Sequence, residues 1–234
     1  MPVFFICFIV FIFWIRVKTK LENRNTSTWD TAYWEKEKKA NFVRKKDISQ
    51  LDYLRVKEEE LPFNPDATGE ELEKQEQIRA LLDKKMINLS HMTNADIKLN
   101  YGTANFSTLS VYDQNYLTFM RNLGLWGTYL WEQAKKDTDT DTLGDAPEDL
   151  LSAPRKQELS SQGKDYTKRA KQILEYAINL GSDISSTYLT LAQIYLMEEQ
   201  LDRIQELIQR VEGSDFYLKD SLVKQLKSVM QHYI

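Results

Sequence analysis

The feature that most constrains this chain is an apolar run near its N-terminus. Residues 3–15 read Val-Phe-Phe-Ile-Cys-Phe-Ile-Val-Phe-Ile-Phe-Trp-Ile, without one polar side chain. As a helix this run is about 20 Å long, and residues 1–17 about 25 Å, against a bilayer hydrocarbon core of about 30 Å. The span is short, but Arg16, Lys18 and Lys20 can extend their charged ends towards the head groups. The sequence therefore predicts a transmembrane anchor over residues 1–17.

Two alternatives for this run fit less well. A cleaved signal peptide has its cations before the apolar run and small residues after it, whereas here Arg16, Lys18 and Lys20 follow the run. A buried core helix would need apolar neighbours on every side. Because the cations flank only the C-terminal side, the positive-inside rule predicts a single-pass protein of the cell membrane, with its N-terminus outside and its body in the cytoplasm.

Charge is distributed unevenly along the chain. Residues 1–46 carry ten Lys/Arg against four Asp/Glu, which is +6, so residues 47–234 carry -10 of the total of -4. An acidic body argues against nucleic acid as a partner, because phosphate binding needs a basic surface. The basic part lies next to the predicted anchor, where it favours contact with anionic membrane lipid.

Residues 18–65 are interpreted as a basic juxtamembrane stem followed by an extended segment. Asn25, Thr26 and Ser27 are typical N-cap residues, so a new amphipathic helix is expected from Trp29 to Phe42. Its aromatic and lysine side chains suit a helix on anionic lipid, but the same spacing suits a helix that docks its aromatics on the body. The residues predicted to contact the membrane surface are Arg16, Lys18, Lys20, Trp29, Lys36, Lys38, Lys39, Arg44, Lys45 and Lys46.

The remaining chain has the pattern of an all-α protein. Eight Gly and five Pro in 234 residues are too few for a many-turned β fold. Helices are expected at 69–86, at 94–102 after an N-cap at Thr93 or Asn94, at 104–135, and at 216–233. Gly124 and Gly127 are unfavourable inside a helix, so they predict close packing of 104–135 against another helix.

The C-terminal part resembles tetratricopeptide repeats. Ile204 and Ile208 follow Ala170 and Leu174 by thirty-four residues, the period of that repeat. The resemblance implies a tetratricopeptide-like helical-hairpin array over residues 66–234, so with the predicted anchor the expected fold is an N-terminal transmembrane helix followed by this array. In this array helix 104–135 pairs with helix 165–180 across an acidic insertion, 136–163.

A second resemblance covers most of the chain. Arg44-Lys45-Lys46-Asp47-Ile48, Met92 to Lys98 and Leu99-Asn100-Tyr101-Gly102 are similar to segments of an uncharacterised family of bacterial membrane-anchored proteins. This resemblance implies membrane anchoring and supplies no activity.

The sequence offers no catalytic, metal or cofactor motif. The one cysteine, Cys7, lies in the apolar run, and the two histidines, His91 and His232, lack ligand-spaced partners. Carboxylate pairs such as Glu70 and Glu71 are interpreted as solvated helix faces. Residues 137–148 partly match a calcium-binding loop, but Thr142 stands where the turn needs glycine, so a solvated acidic run is favoured.

These observations favour a non-enzymatic scaffold that binds a protein or peptide partner with its helical-repeat body. The competing interpretation is a membrane-tethered enzyme or ligand receptor with a pocket near Trp126 and Trp131.

Overall fold

The structure, a computed structural model, describes residues 2–139 and 159–231, without the side chains of residues 2–6, 21–30 and 138–139. Apart from an isolated β-bridge between Leu54 and Met86, the regular secondary structure of these residues is helical. This confirms the all-α prediction. Short 3-10 turns lie at Glu58–Glu60 and Thr103–Asn105. The α-helices are α1 (Pro2–Ala40), α2 (Gly69–Leu82), α3 (Asn94–Tyr101), α4 (Phe106–Asp139), α5 (Ser161–Asn179), α6 (Ser185–Met197), α7 (Leu201–Glu212) and α8 (Lys219–Gln231).

Two predicted helix boundaries are wrong for identifiable reasons. No new helix starts after the expected caps at residues 25–27, because α1 continues from Pro2 to Ala40. A cap contributes only about 1 kcal/mol, and residues 3–40 contain no Gly or Pro to interrupt the backbone ladder. Helix α2 ends at Leu82 rather than 86, since the Met86 carbonyl accepts a hydrogen bond of 2.9 Å from the Leu54 amide.

The chain divides into two compact units. Unit 1 consists of Met1–Asp52 with Asn88–Asp113, and unit 2 of Tyr53–Ile87 with Gln114–Ile234. Each unit therefore joins segments that lie far apart in the sequence.

In unit 1, residues 43–46 lie against the end of α3 and the turn that follows it. Gly102 ends α3 at φ +90°, and a Cβ on it would lie 2.3 Å from the Arg44 carbonyl oxygen. Only glycine fits this position. On either side of it, the Lys46 amide donates to the Tyr101 carbonyl at 3.1 Å and the Thr103 amide to the Val43 carbonyl at 3.3 Å. The predicted Thr93 cap is confirmed as a capping box with Asp96.

In unit 2, α4 packs antiparallel to α5. A Cβ on Gly127 would lie 2.7 Å from Cγ and Cδ2 of Leu174, which is fully buried. Nearer the start of α4, the Tyr116 hydroxyl donates to the Leu180 carbonyl at 3.1 Å, just beyond the end of α5. The predicted close packing at Gly127 is therefore confirmed.

Helix α6 runs parallel to α4 on a second side. A Cβ on Gly124 would lie 2.8 Å from the Thr187 hydroxyl oxygen, which confirms the prediction for the second glycine. Further along both helices, the Thr128 and Thr190 hydroxyls lie 3.3 Å apart, and the Trp131 indole N–H donates to Gln193 at 3.1 Å. The order α4, α5, α6 is thus a helical hairpin followed by a helix parallel to its first member.

Apolar side chains from all of these helices form the core of unit 2. The four residues spaced by thirty-four positions, Ala170, Leu174, Ile204 and Ile208, are all buried there. Helix α8 contributes Leu222 and Leu226 to the same core. The periodic positions of the sequence are therefore packing positions.

We predict that Gly127→Ala lowers the unfolding free energy by about 1–3 kcal/mol, because the added methyl overpacks Leu174 and outweighs the higher helix propensity of alanine. Thermal and urea unfolding of the full chain in mild detergent, followed by circular dichroism, measures this change.

The matched control is Gly213→Ala, since a Cβ there meets its nearest atom at 3.5 Å. Its stability should change by less than about 1 kcal/mol. In a Leu174→Ala background Gly127→Ala should cost less than in the native chain; equal costs in both backgrounds would contradict the packing argument.

Candidate membrane-facing helix and interaction surfaces

Between Phe8 and Ile15, α1 presents large apolar side chains on every side of the helix. Residues from Phe8 to Ile15, and Val17, are between 41% and 69% exposed. At the end of the run Trp14 is exposed, and the Lys18 ammonium lies 5.4 Å from the centre of its ring. Such a surface in water is unfavourable on all sides, so this stretch needs an apolar environment.

The described part of the chain contains no helix long and apolar enough to cross a membrane. The anchor predicted over residues 1–17 includes Met1 and the side chains of residues 2–6, which lie outside the described set.

The residues predicted to contact the membrane surface fall into different environments. Lys36 and Lys46 bind within unit 1: the Lys36 ammonium lies 2.7 Å from the Asp96 carboxylate, and Lys46 donates to the Leu99 carbonyl at 3.1 Å. The side chain of Trp29 lies outside the described set. The remaining predicted cations are exposed to solvent, namely Arg16, Lys18, Lys20, Lys38, Lys39, Arg44 and Lys45.

Polar side chains hold the last turns of α1 against α3 and the turn that follows it. Besides the Lys36–Asp96 pair, Lys98 lies 3.0 Å from Glu37. Ala40 is fully buried, and its carbonyl accepts a hydrogen bond of 2.9 Å from the Thr103 hydroxyl. The interface on α1 therefore consists of charged groups and one small residue.

Two aromatic residues of α1, Tyr33 and Trp34, are largely exposed. Tyr33 and Trp34 are 57% and 68% exposed and contact each other edge to face with ring centres 6.0 Å apart. Neither side chain is buried, so these two residues give no support to the alternative in which α1 docks its aromatics on the protein body. They remain available to a partner outside the chain.

Asp96 is the electrostatic centre of the α1–α3 contact. Hydrogen bonds from Lys36 and then Thr93 lower the pKa of its carboxyl to about 2 from an ordinary value of 3.8. Its charged form therefore stabilises the folded state fully above pH 3.8, and this contribution is lost as the pH falls from there through about 2.

In unit 2, parallel helices α4 and α6 form one face of the helical stack. Thr128 and Thr190 meet between them, and Trp131 and Gln193 bond one turn further on. Leu125, an apolar residue of α4, is 52% exposed near this seam. The described contacts of the seam are thus polar, and Leu125, next to Gly124 in α4, adds an exposed apolar side chain.

The aromatic residues beneath this face belong to the core. Trp126 is fully buried and stacks on Phe63, with ring centres 5.2 Å apart. Tyr188 is buried and donates to the Ser182 carbonyl at 2.9 Å, and its burial raises its pKa to about 12. Tyr195 donates to Glu175, and burial together with this carboxylate raises its pKa as well. These tyrosines are structural.

Sequence reasoning missed a buried ion pair between α2 and α5. Glu71, expected on a solvated face, is 5% exposed and pairs with Arg169, which is 8% exposed. Arg169 also donates to the Pro62 carbonyl at 3.2 Å, and Gln75 donates to Glu71 at 3.1 Å. The partners are ninety-eight residues apart, and no local pattern marks them.

Within residues 2–139 and 159–231, no group of His, Cys, Asp and Glu side chains is placed to hold a metal ion. Most of the calcium-loop match at 137–148 lies outside the described residues. Comparisons of this chain with protein families, curated proteins and solved structures gave no match.

We predict that Arg169→Met lowers the unfolding free energy by about 3–5 kcal/mol, because it leaves the Glu71 carboxylate buried without its cation. Replacing both residues by methionine should cost less than Arg169→Met alone. Guanidinium unfolding of the full chain in detergent measures both changes.

Lys227→Met is the control, since Lys227 pairs with Glu212 and both side chains are about half exposed. Its cost should stay below about 1 kcal/mol. If Arg169→Met were as mild as this control, Glu71 and Arg169 would not form a buried pair in solution.

We further predict that Lys36→Gln raises the pKa of Asp96 from about 2 towards 3.8, since Lys36 is the largest cause of its depression. Carboxyl ¹³C shifts followed by NMR as a function of pH report this pKa. Lys39→Gln, which removes an exposed cation of the same helix, should leave the midpoint unchanged. An Asp96 midpoint that is the same in both variants would show that α1 and α3 are not joined by this pair.

Proposed function

We propose that this chain is a single-pass membrane-anchored, non-enzymatic interaction protein whose helical-repeat body binds a protein or peptide. The observation that carries the proposal is the exposed apolar surface of α1, which is followed at once by Arg16, Lys18 and Lys20. Transfer of its eight side chains from Phe8 to Ile15 out of water is favourable by on the order of 10–20 kcal/mol. This is enough to hold the chain at a bilayer.

The anchor comprises residues 1–17 and is shorter than an average bilayer core by about 5 Å. A mismatch of this size costs only fractions of a kcal/mol per Å, through local thinning of the bilayer and extension of the flanking lysines. By the positive-inside rule, the cations after the run support an orientation with the body in the cytoplasm and the N-terminus outside. They also give the protein its contact with anionic lipid head groups.

The arrangement of α4, α5 and α6 supports the interaction role of the body. An antiparallel pair followed by a helix parallel to its first member is the unit from which helical-repeat arrays are built. In such arrays the first helices of successive hairpins line a concave face that binds extended or helical peptides. Here that face contains Leu125 and Gln193, beside the α4–α6 seam.

The competing function, an enzyme or ligand receptor centred on Trp126 and Trp131, receives less support. Trp126 is fully buried beneath Phe63, and Trp131 is buried with its N–H bonded to Gln193. Both side chains thus contribute to packing and to the seam.

We predict that the double substitution Ile9→Arg and Ile12→Arg transfers the protein from the alkali-washed membrane fraction to the soluble fraction. Two arginines near the centre of the anchor cost about 5–7 kcal/mol on an insertion scale, and losing two buried isoleucines removes about 3–6 kcal/mol more, which together offset most of the gain from burying the run. Quantitative immunoblotting of fractionated cells measures the distribution.

Val111→Arg provides the matched control, because Val111 is an exposed apolar residue outside the anchor. It should leave the protein in the membrane fraction. A double variant that remains with washed membranes would refute the anchor.

The partner-binding face is tested by placing a photo-crosslinking amino acid at Leu125 or Gln193 in cells, with Gln205 of α7 as the control position. The proposal expects one discrete adduct from both seam positions and none from Gln205. Adducts of equal yield from all three positions would contradict a specific α4–α6 groove.

A further inference from the structure

We propose that α1 is an anchor and a spacer in one helix, so that lipid contact ends near Lys20 and the later cations stand in water. We call the exposed residues Lys38, Lys39, Arg44 and Lys45 the distal basic cluster. This inference rests on the proposed anchor, and it separates the distal basic cluster from the cations that touch lipid.

Helix α1 is continuous over its whole length. The helix runs without interruption from Pro2 to Ala40, over 39 residues. Residues 3–40 contain no proline or glycine, the residues at which helices most often kink. At about 1.5 Å per residue, the helix is close to 58 Å long, which is about twice the thickness of a bilayer core.

The middle of α1 is polar in sequence. Residues 18–28 read Lys-Thr-Lys-Leu-Glu-Asn-Arg-Asn-Thr-Ser-Thr, in which Leu21 is the one apolar residue. A helix that lies in the plane of the membrane needs an apolar stripe along its whole length. Residues 18–28 lack such a stripe, so this part of α1 leaves the lipid surface.

The length of α1 sets the distance between the anchor and the distal basic cluster. Between Val17 and Lys38 the axial rise along a helix is about 30 Å. The potential of an anionic membrane decays over a Debye length of about 8 Å at physiological salt, so about 30 Å corresponds to nearly four decay lengths. The distal basic cluster therefore gains almost no attraction from lipid head groups.

The last turns of α1 are fixed in unit 1, so the spacer holds a folded platform away from the bilayer. Lys36 pairs with Asp96, Glu37 with Lys98, and the Ala40 carbonyl with Thr103. Near these contacts Trp34 is 68% and Phe42 80% exposed. At about 30 Å beyond the end of the anchor, these aromatics and the distal basic cluster face the aqueous phase and not the head groups.

Membrane depth measured by electron paramagnetic resonance tests this division. In a Cys7→Ser background, single spin labels are attached at Ile12→Cys, Lys20→Cys, Lys39→Cys and Lys45→Cys, with the full chain in nanodiscs. Oxygen should relax the label at residue 12 and a water-soluble nickel chelate the labels at 39 and 45. Addition of phosphatidylglycerol to the nanodiscs should leave the labels at 39 and 45 unchanged.

The outcomes separate the spacer from the anchor. Labels at 39 and 45 that move to head-group depth in anionic nanodiscs, while the label at 12 stays in the core, overturn the spacer and leave the anchor standing. A label at 12 that is fully accessible to nickel overturns the anchor, and the spacer with it.

A change in spacer length gives a second test. Deletion of residues 22–28 removes nearly two helical turns, so energy transfer from a dye at Lys45→Cys to labelled head groups should report a distance shorter by about 10 Å. Replacement of the same seven residues by alanine keeps the length and should keep the distance. An unchanged distance after the deletion overturns the spacer, since it would mean that residue 45 already lies on the membrane.

Discussion

The close approach of α4 to its neighbours is the interaction on which the folded body depends. The Leu174 side chain occupies the space that a Cβ of Gly127 would fill, and the Thr187 hydroxyl lies similarly against Gly124. Gly124 and Gly127 lie three residues apart and leave two sides of α4 without a side chain. Helices α5 and α6 can therefore both pack closely against it. The parallel direction of α4 and α6 is seen in the order of their contacts, Gly124 with Thr187 and then Trp131 with Gln193.

Around α4 the structure buries charge as well as apolar surface. The Glu71–Arg169 pair joins α2 to α5, and Arg169 also bonds the backbone at Pro62. An ion pair removed from water adds little net stability, but its hydrogen bonds are satisfied in one arrangement of the two helices. The pair therefore fixes the position of α2 along α5, whereas the glycine contacts allow the close packing of α4.

The sequence predicts those parts of the fold that depend on local patterns. Apolar spacing identified α4 and α5, Gly124 and Gly127 identified a close contact, and Thr93 identified the start of α3. The burial of Glu71 was not predictable, since its partner Arg169 lies in a helix ninety-eight residues away. Likewise, N-cap residues at 25–27 predicted a helix start where the backbone continues, because a cap residue in the middle of an unbroken helix has no free amide to bind.

For the candidate site, the sequence located the apolar run and the cations but not their separation. Only the continuity of α1 shows that Lys38 lies some twenty residues further along the same helix than Val17, the last residue of the predicted anchor. Lys36 and Lys46, which the pattern assigned to lipid, bind Asp96 and the Leu99 carbonyl. A charged residue near a membrane anchor can thus be part of a protein interface, and its partner is visible only in the fold.

The most direct test of the account is flotation of the purified full chain with vesicles of neutral phosphatidylcholine. A hydrophobic anchor predicts that the chain rises with the vesicles and stays bound in molar salt and at alkaline pH. A chain that remains at the bottom of the gradient, or that floats only with anionic vesicles at low salt, would contradict an anchor at the apolar end of α1.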